Sequence, residues 1–326
     1  MKTVLEFLEE HPDQFVSGEL IANALSMTRA NVWKEIQKLK SKNYCIESVR
    51  NQGYKLLSRN NNISVSYIES LLNPNTLRGI EYLESVDSTN TYAKDLAKDS
   101  NLSDVLIVSD NQTAGRGRMG RSFYSPSQNG VYMSFILRPT THLEDTQLLT
   151  LAAAVAVIKS LKQCLDIDAQ IKWLNDIYIN NQKLSGILTE GEIILESQSY
   201  KYLVLGIGIN VFTDNDIPDS ISNIYTSIDK HTTRAIDRNE CVAAIANNFY
   251  EIYNSLPDSR EKLLDEYRTA CFILGEEVWI NNDPKQAVTA VDINDQGHLL
   301  VKDNHGNERL LYSGEVSIGG KFKHES

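Results

Sequence analysis

QTAGRGRMGR, residues 112–121, decides how the middle of this chain is read. Gly115, Gly117 and Gly120 spell G-x-G-x-x-G, the string of a dinucleotide-binding turn, and Arg116, Arg118 and Arg121 fill the gaps. The run before it, DVLIVSD (104–110), has the character of a strand, so half of the Rossmann context is present. The other half is missing. RSFYSPSQNGVYMSFILRP (121–139) offers turn residues, a proline and a second strand-like run, with no helix start behind Gly120. A Rossmann site needs a helix N-terminus there to receive the pyrophosphate. No G-K-[ST] comes next, so the stretch is not a P-loop either. What survives is a glycine loop that admits close backbone approach and carries three permanent cations. It suits a phosphate or carboxylate held at the open end of a sheet. The plain alternative is a surface loop with incidental arginines.

Charge distribution weighs against that alternative. The 326 residues carry a net charge of −11, with 41% hydrophobic and 23% charged residues, a composition that buries a real core and argues against coating nucleic acid. Residues 1–25 hold one Lys and five acids (net −4), and residues 26–59 hold eight basic and two acidic residues (net +6). The remainder therefore carries −13, and the arginine loop sits inside it. MKTVLEFLEEHP has three glutamates by residue 10 and no apolar core, so it does not read as a signal peptide. LLTLAAAVAVI (148–158) is too short to span a bilayer and reads as a buried helix, so no membrane partner is expected. Cys45, Cys164, Cys241 and Cys271 are scattered and the histidines show no H-x-x-x-H spacing, which predicts neither zinc nor disulfides and a reducing cytoplasm.

The basic segment has its own organisation. VLEFLEE, SGELIANALS with Ser17 as N-cap, and TRANVWKEIQKLK give three helical patterns, with Leu20, Ile21, Ala24 and Leu25 and then Val32, Trp33, Ile36 and Leu39 as apolar stripes. YCIESVR and YKLLS around Asn51-Gln52-Gly53 predict a hairpin, completing a winged helix-turn-helix. Its third helix would enter a major groove, with Thr28, Arg29, Asn31 and Lys34 as DNA-facing candidates. Arg50 on the wing would take a phosphate, and Lys38, Lys40 and Lys42 extend the positive face. A protein-interaction module with a solvated basic helix is the other reading. RNNNIS (59–64) is the expected linker.

Beyond it, strand-like runs (GIEYLESV, DVLIVSD, GVYMSFIL, AQIKW, YLVLGIGI) alternate with helical ones (STNTYAKDLAK, DTQLLTLAAAVAVIKSLKQCL, RNECVAAIANNFYEIYNSL), an α/β or α+β body. LGIGIN (205–210) alternates glycine in a strand, a mark of close approach by a ligand or backbone. From about residue 271, short strands with Gln296-Gly297 and His305-Gly306 turns predict a small all-β unit.

DSTN (87–90), NQTAGRGRMGR (111–121), KWLND (172–176), KLSGIL (183–188) and GIGIN (206–210), in this order, resemble the biotin–protein ligases. With the helix-turn-helix in front, the whole chain is similar to the bacterial family of bifunctional biotin–[acetyl-CoA-carboxylase] ligases and biotin operon repressors. The resemblance implies a multidomain α+β protein: a winged helix-turn-helix over 1–60, a mixed-sheet α/β ligase domain like the class II aminoacyl-tRNA synthetases over 61–270, and an SH3-like barrel over 271–326. It implies biotin and ATP as substrates with Mg2+, a biotinyl-5′-AMP product, and transfer of biotin to a lysine of a biotin carboxyl carrier domain of a carboxylase. It also implies a ligand-promoted homodimer that represses operator DNA.

By position, the resemblance places Ser88, Thr89, Asn90, Gln112, Gly115 and Gly117 around biotin. Arg116, Arg118 and Lys183 become the catalytic cations touching biotin, and Arg118, Arg121, Lys183, Asn175 and Asn210 serve the adenylate. The resemblance makes Asp176 a carboxylate on the metal side or one behind the residues that touch the ligands. Leu174 stands where the family has proline, which predicts a less rigid turn before Asn175. The rival readings are a ligand-sensing repressor without ligase activity and a lipoate ligase; the R-x-x-G-G-G string of the latter is missing.

Overall fold

Three short helices open the chain: α1 (Val4–Glu9), α2 (Gly18–Ala24) and α3 (Arg29–Ser41). Each start is capped by a hydroxyl. Thr3 and Glu6 form a reciprocal capping box, Ser17 accepts from Leu20 N, and Thr28 accepts from Asn31 N. The hairpin of β1 (Cys45–Val49) and β2 (Gly53–Ser58) comes next, as expected. Gly53 has φ +110, and a Cβ there would stand 2.1 Å from Val16 O, so only glycine lets β2 lie against Val16. α4 (Val65–Leu71), which the sequence did not reveal, ends this first compact unit, Met1–Leu71.

The core of this unit corrects both apolar stripes. Val4, Phe7, Leu8, Ile21, Ala22, Val32 and Ile36 are buried, but Leu20 and Trp33 are 52% and 54% exposed and Ala24 is exposed too. A helix advances about 100° per residue, so Trp33 stands well off the row completed by Val32, Ile36 and Leu39.

This computed structural model describes all residues except 1, 12–13, 42–43, 59–61, 99–100, 140–145, 195, 197–198, 215, 235 and 319–326. Lys42 and part of the expected linker therefore lie outside the described residues.

The second unit, Leu72–Ser326, is built on a seven-stranded mixed sheet. Its strands are β3 (Gly79–Leu83), β4 (Val105–Ser109), β5 (Gly130–Leu137), β6 (Gln170–Lys172), β7 (Asp176–Ile179), β8 (Gln182–Ile194) and β9 (Ser199–Asn210), in the order β3-β4-β5-β9-β8-β7-β6. Of these strands only β3 and β4 pair in parallel. The helices are α5 (Thr89–Lys98), α6 (Thr146–Leu165), the short α7 (Asp219–Ser222) and α8 (Arg238–Ala270).

Side chains alternate across strands, and the alternation assigns the faces. Ile136, Tyr202 and Val204 pack with Ala93 and Ala97 of α5, whereas Phe135 stacks on Phe249 of α8 with ring centroids 5.2 Å apart. β5 is buried throughout because both faces are covered. α6 is long and apolar enough to cross a membrane, but most of it is buried inside this unit, as for a core helix. α8 runs on past Pro257 with a non-helical Ser259, longer than its apolar pattern indicated.

A five-stranded antiparallel sheet completes the unit: β10 (Glu277–Ile280), β11 (Ala287–Ile293), β12 (Leu299–Lys302), β13 (Glu308–Leu311) and β14 (Val316–Ile318), in the order β13-β12-β11-β10-β14. The β11–β12 turn reaches the larger sheet, where Gly297 O accepts from Trp173 Nε1 (3.0 Å) and Gln147 Nε2 (2.6 Å).

Candidate active site

Glycines make the floor of the main cleft. Antiparallel register sets Ser134 opposite Gly206, Gly206 opposite Leu188, and Gly208 opposite Gly186. Toward α5 and Phe123, Gly206 and Gly208 leave bare backbone. A Cβ on Gly206 would lie 2.0 Å from Asn90 Oδ1, and one on Gly208 would lie 2.5 Å from the Phe123 ring. The glycine alternation in GIGIN is thus a steric requirement of the cleft.

One end is a buried polar cluster. Ser88, Thr89 and Asn90, at the start of α5, are 2–4% exposed. Gln112 Oε1 accepts from Thr89 N (2.9 Å) and Thr89 Oγ1 (3.1 Å). Asn90 Nδ2 donates to Glu190 (2.9 Å) and Leu188 O (3.2 Å), and Ser134 donates to Asn90 Oδ1 (2.7 Å). Lys94 pairs with Glu190 at 2.6 Å. Burial pushes Glu190 up, but the hydrogen bonds from Lys94 and Asn90 hold its carboxyl below 4.5. Such a cluster is rigid because each member is fixed by the next. It presents directional donors and acceptors to a neutral polar group.

Cations gather at the other end. The arginine loop is a tight hairpin: Gly117 N donates to Arg121 O (2.7 Å), Arg116 bridges Ser122, and a 3-10 turn spans Arg118–Gly120. Met119 takes φ +56 at its tip. The next element is β5, not an α-helix, as the failed Rossmann pattern implied. Arg118 donates to Asn175 Oδ1 (3.1 Å) and Gly314 O (3.5 Å). Burial draws its pKa below the ordinary value, against the pull of Asp176 and Glu315. Arg121 forms a two-pronged pair with Glu315, at 2.7 and 2.5 Å. Lys183 pairs with Asp176 at 2.8 Å. Its backbone is clasped by Ile224 and Thr226, which fix the polar segment after GIGIN against β8.

The KWLND turn is held on several sides, and its Trp173–Leu174 peptide is cis. Tyr267 donates to Leu174 O (3.0 Å), Asn175 Nδ2 donates to Ile187 O (2.8 Å) and Ile187 N donates to Asn175 O (2.9 Å). The looseness expected from Leu174 is offset by these partners.

The cleft thus brings together Ser88, Thr89, Asn90, Gln112, Arg116, Gly117, Arg118, Arg121, Asn175, Asp176 and Lys183. Gly115 and Asn210 are not among its lining. Gly115 packs beneath the loop, where a Cβ would meet Phe123 O at 2.6 Å. Asn210 Nδ2 donates to Thr226 O (3.0 Å). In the first unit Thr28, Arg29, Asn31, Lys34 and Arg50 are all exposed.

Some contributors escaped the sequence reading. Lys172 is 5% exposed yet lines the cleft, and burial pulls its ammonium below its ordinary pKa, opposed by Asp176. KWLND contained it, but nothing local separated it from an ordinary strand lysine. Gly314, Glu315 and Val316 close one wall from the five-stranded sheet. Among the described residues no group of three or more His, Cys, Asp and Glu gathers as a metal set. No Ser–His or Cys–His pair is seen among the residues lining the cleft. The cleft itself sets a cation-rich end, which suits anions, beside a neutral polar cluster.

Comparison with known proteins finds three family matches. Residues 82–210 match the biotin/lipoate A/B protein ligase family, residues 1–55 a helix-turn-helix domain, and residues 273–319 the biotin protein ligase C-terminal domain. The bifunctional ligase/repressor BirA of Bacillus subtilis is 34% identical over 98% of each chain. That of Escherichia coli is 30% identical over 94% of this chain and 93% of its own. Among solved structures, the biotin protein ligase of Aquifex aeolicus in complex with biotin and ATP is 29% identical. It covers 74% of this chain and 98% of its own, with a TM-score of 0.63.

Proposed function

The chain belongs to the family of bifunctional biotin ligase/repressors, and from that premise we infer that it condenses biotin with ATP to biotinyl-5′-AMP. It then transfers biotin to a lysine of a biotin carboxyl carrier domain and represses transcription through its helix-turn-helix. The observation that carries the reading is one cleft joining a buried polar cluster, a glycine floor and a wall of cations.

The polar cluster of Ser88, Thr89, Asn90 and Gln112 suits the ureido head of biotin, and the floor suits its flat ring system. The valeryl carboxylate then points to Arg116, Arg118 and Lys183. It attacks the α-phosphorus of ATP, the α–β phosphoanhydride breaks, and pyrophosphate leaves. Negative charge builds on the phosphoryl oxygens, and fixed cations that need no reorganisation stabilise it. The substrate carboxylate is itself the nucleophile, so none is needed from the protein. In the second step the carrier amine attacks the acyl carbon and AMP departs. A loop closed over the mixed anhydride keeps water from hydrolysing it. The ligand-sensing alternative leaves the cations in excess, since one bound effector does not require charge to be countered on two anions.

Mg2+ would arrive with the ATP phosphates, which supply most of its ligands. Asp176 and Glu315, which line the cleft, are the carboxylates that would complete its shell. Asn175 and Asn210 remain our adenine-end residues, Asn210 through the segment it anchors. We read the domains as 1–60, 61–270 and 271–326. The seven-stranded sheet is like that of class II synthetases and the five-stranded sheet is SH3-like. Adenylate-promoted homodimerisation would match a two-fold operator. An ATP-dependent enzyme with free Cys164, Cys241 and Cys271 suits the cytoplasm.

The test is incubation with biotin, ATP and an apo carrier domain. A mass gain of one biotin on a carrier lysine is expected, and an unmodified carrier would overturn the reading.

A further inference from the structure

α3 turns a tryptophan outward. Its buried row is Val32 and Ile36 with half-buried Leu39, and the far arc carries Ala30, Asn31, Trp33, Lys34, Gln37 and Lys38, all exposed. Trp33 is 54% exposed, whereas Trp173 is 3% exposed and Trp279 half-buried. A single exposed apolar side chain is ordinary; the setting of this one is not. Ala30, Trp33 and Gln37 succeed one another at helical spacings of three and four, so they stand in one row. Arg29 and Lys34 flank that row, in a segment of net charge +6. The cationic surround complements a polyanion.

A row of small, aromatic and amide side chains is equipped to read base edges. Apolar carbon packs on the thymine C5-methyl, and an amide pairs with adenine N6 and N7 in the major groove. We propose that Trp33 is a base-reading residue whose indole packs on a thymine methyl in the operator, with Gln37 placed for a neighbouring adenine. The proposal rests on the repressor reading above and deepens it.

The probe is a duplex selected from a random pool by the full-length protein with biotin and ATP, prepared with thymine and again with uracil, which lacks only the methyl. Wild type loses about fourfold in affinity for each contacted methyl removed, from the hydrophobic worth of one buried carbon. Trp33→Ala binds the thymine duplex more weakly and no longer distinguishes it from the uracil duplex, while Trp33→Phe keeps a preference for thymine. Unchanged far-ultraviolet circular dichroism separates this from misfolding. A wild type indifferent to uracil, or a Trp33→Ala protein with full affinity, overturns the proposal and in the latter case gives the indole to a protein contact. Failure to enrich any duplex removes the repressor reading itself, a distinct outcome.

Discussion

Gly206→Ala is a sharp probe of the site's geometry. The added Cβ would lie 2.0 Å from Asn90 Oδ1, 2.8 Å from its Cγ and 3.0 Å from its Nδ2, so the whole amide must move. Asn90 is 4% exposed and tied to Glu190, Leu188 O and Ser134, so it cannot move without breaking those bonds. Overpacking costs about 1–3 kcal/mol and each lost hydrogen bond about 1 kcal/mol. The sum is a destabilisation of about 4–6 kcal/mol, with a raised KM for biotin because Asn90 anchors the polar cluster. The assay is urea unfolding, extended to a double-mutant cycle with Asn90→Ala. Removing the amide also removes the clash, so the double variant should be little worse than Asn90→Ala alone, with a coupling as large as the full cost of Gly206→Ala, about 4–6 kcal/mol. Strict additivity would refute the claim that Gly206 is glycine because Asn90 occupies its side-chain space.

Arg238 is 0% exposed, pairs with Asp110 at 2.6 Å and donates to Gly130 O at 3.0 Å, at the root of the arginine loop. Arg238→Met should cost about 3–5 kcal/mol in urea unfolding by stranding a buried carboxylate, and adding Asp110→Asn should recover part of it. Glu190 has a lowered folded pKa, so its contribution is present above 4.5 and is lost as pH falls below 4.5 toward the folded value. Glu190→Gln should therefore flatten the acid arm of the stability curve in that window, and an unchanged arm would count against the Lys94 pairing. Arg29→Ala should reduce the slope of log affinity for DNA against log salt by about 0.9, measured by titration across ionic strengths; an identical slope would remove Arg29 from the phosphate contacts.

Local chemistry was the legible part of this chain. The arginine loop, DSTN and GIGIN carried their meaning in contiguous residues, because glycine spacing and a missing helix start are constraints visible within a few positions. Ser17, the Asn51–Gly53 turn and the strand pattern were legible for the same reason. What escaped depends on distance or angle. Glu315 reaches Arg121 across 194 positions of sequence, and no local pattern marks such a pair. Lys172 looks like any strand lysine until the sheets bury it. Trp33 fits an apolar stripe by composition, but a stripe tolerates only a limited arc, and one residue past Val32 already leaves it. The helical run read from the sequence stops at Leu256, whereas α8 continues to Ala270 and packs against α6.

The most direct test of the central claim is ATP–pyrophosphate exchange by the purified chain, with biotin, lipoate or octanoate as the acid. Exchange should depend on biotin, fall to background with lipoate and octanoate, and drop sharply in Lys183→Ala. Exchange no faster with biotin than without any acid would contradict the assignment of this cleft to biotin adenylation.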